Sequence, residues 1–538
     1  MLPKPIKGRN FAKLQKKVGI FMTETKAAIQ EKKTDKELYS YQKGAINKIF
    51  EKFETAPDDY HLLYQLPTGG GKTVIFSEIV RQYLKMHDKK VLVMTHRVEL
   101  CRQTSEMLTS FGVVNKVVNS TANLSDQGKY SCFVAMVETL NNRLNDNKLD
   151  ISDIGLVIID EAHYNSFTKL FKFFEKSFIL GVTATPLSSN RGLPMKDNYQ
   201  ELIVGESIQS LIENEFLAEV EVFQYNMGLT SLEIGSNGDY TVKSSDDLYS
   251  AVGMLDQLLQ AYLNHAKGKK TLIFNNGINT SIQVYYHFKA EGLPIMHLDN
   301  TATKKQRRQL LKWFRETPDA ILTSVSILTT GFDEPTIDTI ILNRATRSLT
   351  LYFQMIGRGS RILNNKSKFS VIDLGNNYQR FGPWDAPLDW QAIFRSPDYY
   401  MDRLLSDEEL ESHFRYEMPD ELRAEFAKSK EVYFDIKDTY QEAVLKGESS
   451  KVVLERSIAQ HAYICVENSE DVYDALGLAK MLGDDIDHRI EKYSQCISKS
   501  THNFISWLKE DYRLKLRTYL RENFDEVFEQ IHGHPPED

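Results

Sequence analysis

From about residue 60 onward, short apolar runs alternate with longer amphipathic stretches. HLLYQL (61–66) reads as a buried strand, and KTVIFSEIVRQYLKM (72–86) carries a helical period. VLVMTH and VELCRQTSEML repeat the pair, and CFVAMV, IGLVIID and FILGVTA follow, each ending in polar or small residues. Strands apolar on both faces, separated by helical stretches, predict a parallel sheet covered on both sides. The rhythm weakens across 200–260, where IGSNGDYTVKSSDD (234–247) reads as a loop. It resumes with KKTLIFNN, LPIMHLD, AILTSVS, TIDTIILN and KFSVIDLG. The expected fold class is α/β, with two tandem parallel-sheet domains at 36–220 and 221–385. After residue 395 the strands thin out, so 386–538 is expected to be mainly helical. There Phe504, Leu508, Tyr512, Leu516, Leu520, Phe524 and Phe528 recur every fourth position, which marks the packing stripe of one long helix.

Charge divides the 538 residues unevenly. Positions 401–538 hold 18 basic and 31 acidic groups, a net of −13 against −8 for the whole chain, which leaves +5 for the rest. A domain this acidic is expected to pack on the core, bind a protein partner or present a small local basic surface. KEDYRLKLR (509–517) is its strongest basic patch and reads as a solvated helix face. Residues 1–35 begin with six basic groups in the first 20 and form a basic arm, either touching phosphate or keeping the terminus soluble. Phe381, Trp384 and Trp390 read as core between domains rather than as a stacking wedge. Cys101, Cys132, Cys465 and Cys496 stand far apart, which argues against structural zinc and fits a reduced, cytoplasmic compartment. No apolar run of about 18 residues suggests a membrane span, and the basic start lacks the features of a secretory signal.

Two segments carry chemistry. In LPTGGGKT (66–73) a buried strand delivers Thr68, Gly69, Gly70 and Gly71 to the start of a helix. Small residues let backbone N–H groups curl around a phosphate, and the helix start adds its positive field. Lys72 reaches terminal phosphates, and Thr73 offers a hydroxyl to Mg²⁺. Leu66 stands where the strict phosphate-loop pattern has a glycine. In LVIIDEAH (156–163) four apolar residues run into two carboxylates. Asp160 is placed to hold Mg²⁺ through water, and Glu161 to orient and activate an attacking water. His163 reads as a coupling residue.

The ordered set of motifs over 38–375 closely resembles the superfamily 2 helicases and translocases. That resemblance implies two RecA-like domains that hydrolyse ATP between them and move or remodel nucleic acid. LYSYQ (38–42) is similar to the adenine-recognition element, with Gln42 as reader. THRVELCRQ, with Thr95, His96 and Arg97, and MVETL, with Glu138 and Thr139, resemble motifs Ia and Ib, which imply contact with the nucleic-acid backbone. IIDEAH has the DEAH form of motif II. GVTATP resembles motif III, whose Thr183 and Thr185 would link ATP state to strand binding. LIFNNG, with Asn275, resembles motif IV. TTGFDEP (329–335) resembles motif V: Thr330 and Gly331 would face phosphate, and Asp333 the nucleotide. QMIGRGSR (354–361) resembles motif VI, whose Gln354, Arg358 and Arg361 would face ATP from the second domain. A planar guanidinium there stabilises charge spread over the transferred phosphoryl group.

The DEAH, TGFDEP and QxxGRxxR combination resembles DNA repair and recombination translocases. NNYQRFGPWDAPLDW (376–390) resembles the segment after the core of bacterial RadD-like repair helicases, and the phage repair and recombination helicases are similar too. The implied function is an ATP- and Mg²⁺-dependent DNA helicase or translocase on branched or junction DNA. The alternatives are a duplex-translocating restriction or defence motor, an RNA helicase, or a non-motor module using ATP as a latch.

Overall fold

The computed structural model describes residues 37–532 except 58, 120–126, 147–150, 191, 230, 326–327, 329–331, 413–417, 447 and 498–501. The basic arm and the pair Thr330 and Gly331 therefore lie outside the described residues. The chain divides into two compact units: residues up to 216 together with 387–402, and 217–386 together with 403 onward.

The first unit is built on seven parallel strands: β1 (His61–Gln65), β2 (Lys90–Thr95), β3 (Asn115–Val118), β4 (Cys132–Met136), β5 (Ile154–Asp160), β6 (Phe178–Thr183) and β7 (Glu201–Val204). Their order is β3-β4-β2-β5-β6-β1-β7. Central β5 is buried at every position, as a strand covered on both faces must be. The register pairs Gln65 with Thr183, Asp160 with Val182 and Met94 with Ile159. The carboxyl ends of β1, β2, β5 and β6 thus meet at one edge of the sheet, where parallel α/β folds place their ligands.

The second unit holds six parallel strands: β8 (Glu219–Gln224), β9 (Thr271–Asn275), β10 (Ile295–Leu298), β11 (Ile321–Val325), β12 (Thr339–Asn343) and β13 (Lys368–Asp373), ordered β10-β11-β9-β12-β13-β8. Beyond residue 403 it is helical. The helix His502–His532 buries Leu508, Tyr512, Leu516, Leu520 and Phe524 against Lys451–Glu467 and its neighbours, which is the stripe read from the sequence. Among the described residues no helix is long and apolar enough to cross a membrane.

Strands β3, β7 and β8 have no counterpart in the sequence reading. All three lie at sheet edges and are short or only partly buried, so they lack an uninterrupted apolar run. The stretch read as a loop at 234–247 contains a bridge between Ile234 and Tyr240, then a helix, Val242–Tyr249, capped by Thr241. Its buried face includes Ser244 and Ser245, which accept from Glu233 N (3.0 Å) and Asn276 Nδ2 (2.7 Å). A polar buried face hides the helical period. Trp384 and Phe381 are buried in the second unit and Trp390 in the first, so none is presented for stacking.

Candidate active site

The loop after β1 ends on Gly71, whose φ of 86° precedes the helix Lys72–Met86. A side chain at Gly71 is excluded twice. The left-handed backbone disfavours it, and an added Cβ would lie 2.7 Å from Gln42 Nε2. No side chain caps this helix, so its first N–H groups suit an anion.

Gln42 packs over that turn. Its Oε1 accepts from Tyr39 N (3.1 Å), and its Nε2 donates to Tyr41 Oη (3.3 Å). Tyr41 Oη in turn donates to Gly70 O at 2.8 Å. The upstream element is therefore joined to the glycine loop through Tyr41, which the sequence reading passed over. Its partner lies 29 residues away, and only its place beside Gln42 signals it. Thr68 is buried and Thr73 half-buried at the helix start. Lys72 Nζ donates to Leu66 O (3.2 Å) and Pro67 O (3.4 Å).

Asp160 and Glu161 close β5 and are both buried, and Glu161 N donates to Asp160 Oδ1 at 3.1 Å. Burial, then the Glu161 charge, pushes the Asp160 pKa up, while the Lys72 ammonium opposes them. The lysine of the glycine loop and the carboxylates of β5 thus share one electrostatic neighbourhood. His163 Nδ1 lies 3.1 Å from Thr183 Oγ1, which donates to Thr185 O (2.9 Å) and accepts from Thr185 N (3.2 Å). His163 Nδ1 is also 3.4 Å from Glu161 Oε2. Burial lowers the His163 pKa, so the ring is neutral and serves as a hydrogen-bonded strut.

The donor set suits magnesium. A carboxylate and a hydroxyl, Asp160 and Thr73, are hard oxygen ligands, and Mg²⁺ retains several waters and takes further oxygens from phosphate. Among the described residues no group of three or more His, Cys, Asp or Glu is clustered at metal-binding distance.

Three of the residues expected to contact nucleic acid are buried or turned inward in the first and second units. Thr95 is inaccessible, its Oγ1 within 3.2 Å of Arg97 O and 2.9 Å of Cys101 Sγ. The His96 ring turns inward, 4.1 Å from the Tyr164 ring, where burial pushes its pKa down to about 4. Asn275 is 0% exposed, donating to Thr323 Oγ1 (2.9 Å) and Ser324 O and accepting from Asn343 Nδ2 (2.8 Å), so it ties strands together. Arg97 and Thr139 remain half-exposed. Glu138 is ion-paired with Lys169 at 2.8 Å, and its own charge repels phosphate.

In the second unit the motif V and VI segments are braced together. Arg358 Nη1 donates to Phe332 O (2.8 Å), and Arg361 Nε lies 3.2 Å from Asp333 Oδ1. Gln354 is buried on the helix Leu349–Ile356. Lys366 donates to Gly359 O (2.6 Å) and Pro335 O (3.0 Å) and is pushed down to about 8 by burial. No sequence signal marks Lys366, which stands in the ordinary polar turn NNKSK.

Residues 35–188 match the family model for the res subunit of type III restriction enzymes, and 252–363 that for the conserved C-terminal domain of helicases. A 51.5 kDa protein of a Lactococcus phage (isolate 7-9) is 30% identical over 337 residues, 62% of this chain and 69% of the phage protein. IRC3, a candidate ATP-dependent helicase of Saccharomyces cerevisiae, is 28% identical over 365 residues, 62% of this chain and 51% of IRC3. The chain therefore spans about half of the yeast relative. A fragment of a candidate HsdR subunit of a type I restriction enzyme from Vibrio vulnificus YJ016 has the same fold, with a TM-score of 0.52 at 21% identity over 65% of this chain and 67% of that one.

Proposed function

The chain belongs to the superfamily 2 helicases and is a nucleic-acid-stimulated ATP hydrolase, and on that premise we propose that it is a DNA helicase or translocase. Its substrate in this reading is branched DNA or a junction of single-stranded and duplex DNA, in repair or recombination. One observation carries the catalytic part: Lys72, Asp160, Glu161 and His163 act on one another at a single sheet edge. The name of IRC3 as an ATP-dependent helicase supports the motor reading. The motif combination and the 376–390 segment support the choice of DNA.

Gln42 reads the adenine, and Lys72 with the N–H groups of 68–73 cradles the phosphates. Mg²⁺, held by Asp160 and Thr73, would neutralise charge on the phosphoryl oxygens when bound. Glu161 orients the attacking water. Arg358 and Arg361 stabilise the spread charge, with Gln354 and Asp333 beside the nucleotide. His163, Thr183 and Thr185 pass the state of the site to the strand-binding side, where Arg97, Thr139, Thr330 and Gly331 grip the backbone.

The match of 35–188 to a restriction subunit favours a second reading, a motor that tracks along duplex without unwinding it. ATPase rates with single-stranded, duplex and forked DNA and with RNA test the substrate. Highest stimulation by forked DNA is expected, and equal rates with every ligand would reject a nucleic-acid motor. Triplex displacement without strand displacement would establish the second reading.

A further inference from the structure

In the acidic helical region, three cations without an ion-pair partner among the described residues border one groove. The helix Val472–Met481 packs along His502–His532, and between them opens a groove of about 660 Å³ bordered by Lys480, Arg517 and Arg521. A smaller cavity of about 100 Å³ shares Lys480 and Arg517 and continues the groove to Arg513. Arg513, Lys509 and Lys515 on the same long helix are ion-paired with Asp487, Asp487 and Glu491, and Asp511 respectively. Lys480, Arg517 and Arg521 are exposed and form no ion pair or hydrogen bond among the described residues. Tyr473 stands on the same rim, 79% exposed. Below it Val472 and Leu476 give the groove an apolar floor.

We propose that this groove is a second nucleic-acid contact, in which Lys480, Arg517 and Arg521 hold the phosphates of a single strand and Tyr473 stacks on a base. The inference rests on the helicase reading above and adds an anchoring site outside the motor motifs. Charge complementarity selects the occupant. Three cations with no protein counter-ion gain most from a polyanion, and Arg517 and Arg521 sit one helical turn apart, about 5–6 Å between Cβ atoms. A ring on the rim of a cationic groove is the arrangement that binds single strands without sequence preference. The net charge of −13 in the surrounding region confines binding to the groove by repelling nucleic acid elsewhere. An acidic peptide would use the same cations but gains nothing from an open aromatic face.

The test uses the full chain. Anisotropy of a labelled 20-nucleotide single strand, without ATP, is measured from 50 to 300 mM salt for wild type and for Arg517→Glu/Arg521→Glu. Tenfold or greater weakening is expected, with a dependence on log salt shallower by about 1.4 and unchanged ATPase in the absence of nucleic acid. Equal affinity and slope would overturn the groove while leaving the motor reading intact. Failure of wild type to bind any oligonucleotide would remove both. Loss of polyglutamate binding with oligonucleotide binding preserved would assign the groove to an acidic protein segment instead. Crosslinking of wild type to a bromodeoxyuridine strand gives a readout independent of the variant's folding. A crosslink at Tyr473 is expected, and crosslinks confined to the α/β portions would overturn the proposal.

Discussion

Glu161 has a backbone φ of 54°, a left-handed conformation that a non-glycine residue adopts at a cost of about 1–3 kcal/mol. The strain sets its carboxylate beside Asp160 and His163 at the end of a fully buried strand, so it is tied to the reaction we assign. Glu161→Gln keeps the shape and removes the base. Turnover is expected to vanish while ATP binding persists, and a wild-type rate would reject the assignment. Lys72→Ala should abolish turnover through the phosphates. Arg361→Ala should lower kcat by about 10³-fold with binding of a fluorescent ATP analogue nearly preserved, and an equal loss of binding would contradict a transition-state role. Tyr41→Phe removes the bond to Gly70 O, worth about 1 kcal/mol, together with the one accepted from Gln42 Nε2, so a several-fold rise in KM for ATP at constant kcat is expected. These residues differ in how far the sequence announces them. Lys72 and Glu161 lie in contiguous motifs, where strand, turn and helix start are local. Tyr41 and Lys366 act on partners in other segments, and nothing near them in the chain gives this away. The inward turn of Thr95 and His96 follows from the packing after β2, which a motif does not encode.

At the scale of elements, the helical region is organised round a buried polar chain. His461 Nε2 bonds Asp485 Oδ2 (2.8 Å), His461 Nδ1 bonds Tyr512 Oη (2.9 Å), and Tyr512 Oη bonds Ser457 Oγ (2.8 Å). Arg489 joins Asp485 at 2.8 Å. Burial pushes the His461 pKa down to about 4, with Arg489 adding to the effect, so the ring is neutral when folded. The unfolded chain takes up a proton near pH 6.5 that the folded chain refuses until about pH 4. Stability therefore falls as pH drops through that window. Burial raises the Asp485 pKa, but its hydrogen bond from His461 and the charge of Arg489 bring it below the usual range, so its contribution is lost only at lower pH still. Thermal melts from pH 7.5 to 4.5 should show a fall that His461→Asn reduces, and an identical slope in the variant would reject a neutral buried ring. The long-helix stripe was legible because seven apolar residues repeat every fourth position. This polar chain was not, since Ser457, His461, Asp485 and Tyr512 come from three separate helices and pair only once those have packed.

Across the described residues, apolar burial includes three separate clusters: one against the seven-stranded sheet, one against the six-stranded sheet and one among the helices from Phe426 to Phe524. Chains with several cores depart from two-state unfolding. Calorimetry is therefore expected to resolve more than one transition, with a van 't Hoff enthalpy below the calorimetric one, and a single two-state peak would contradict independent cores. The transitions are assignable. The helical region's peak is the one whose acid shift His461→Asn diminishes. A non-hydrolysable ATP analogue with Mg²⁺ stabilises only what it binds, by RT ln(1 + [L]/Kd), or about 2.7 kcal/mol at a hundredfold excess over Kd. In our reading the analogue is held through Lys72 and the glycine loop, so the transition of the seven-stranded sheet should move up while the helical peak stays in place. If that transition does not move at saturating analogue, Lys72 and the glycine loop do not hold the triphosphate, and the assignment of the site fails.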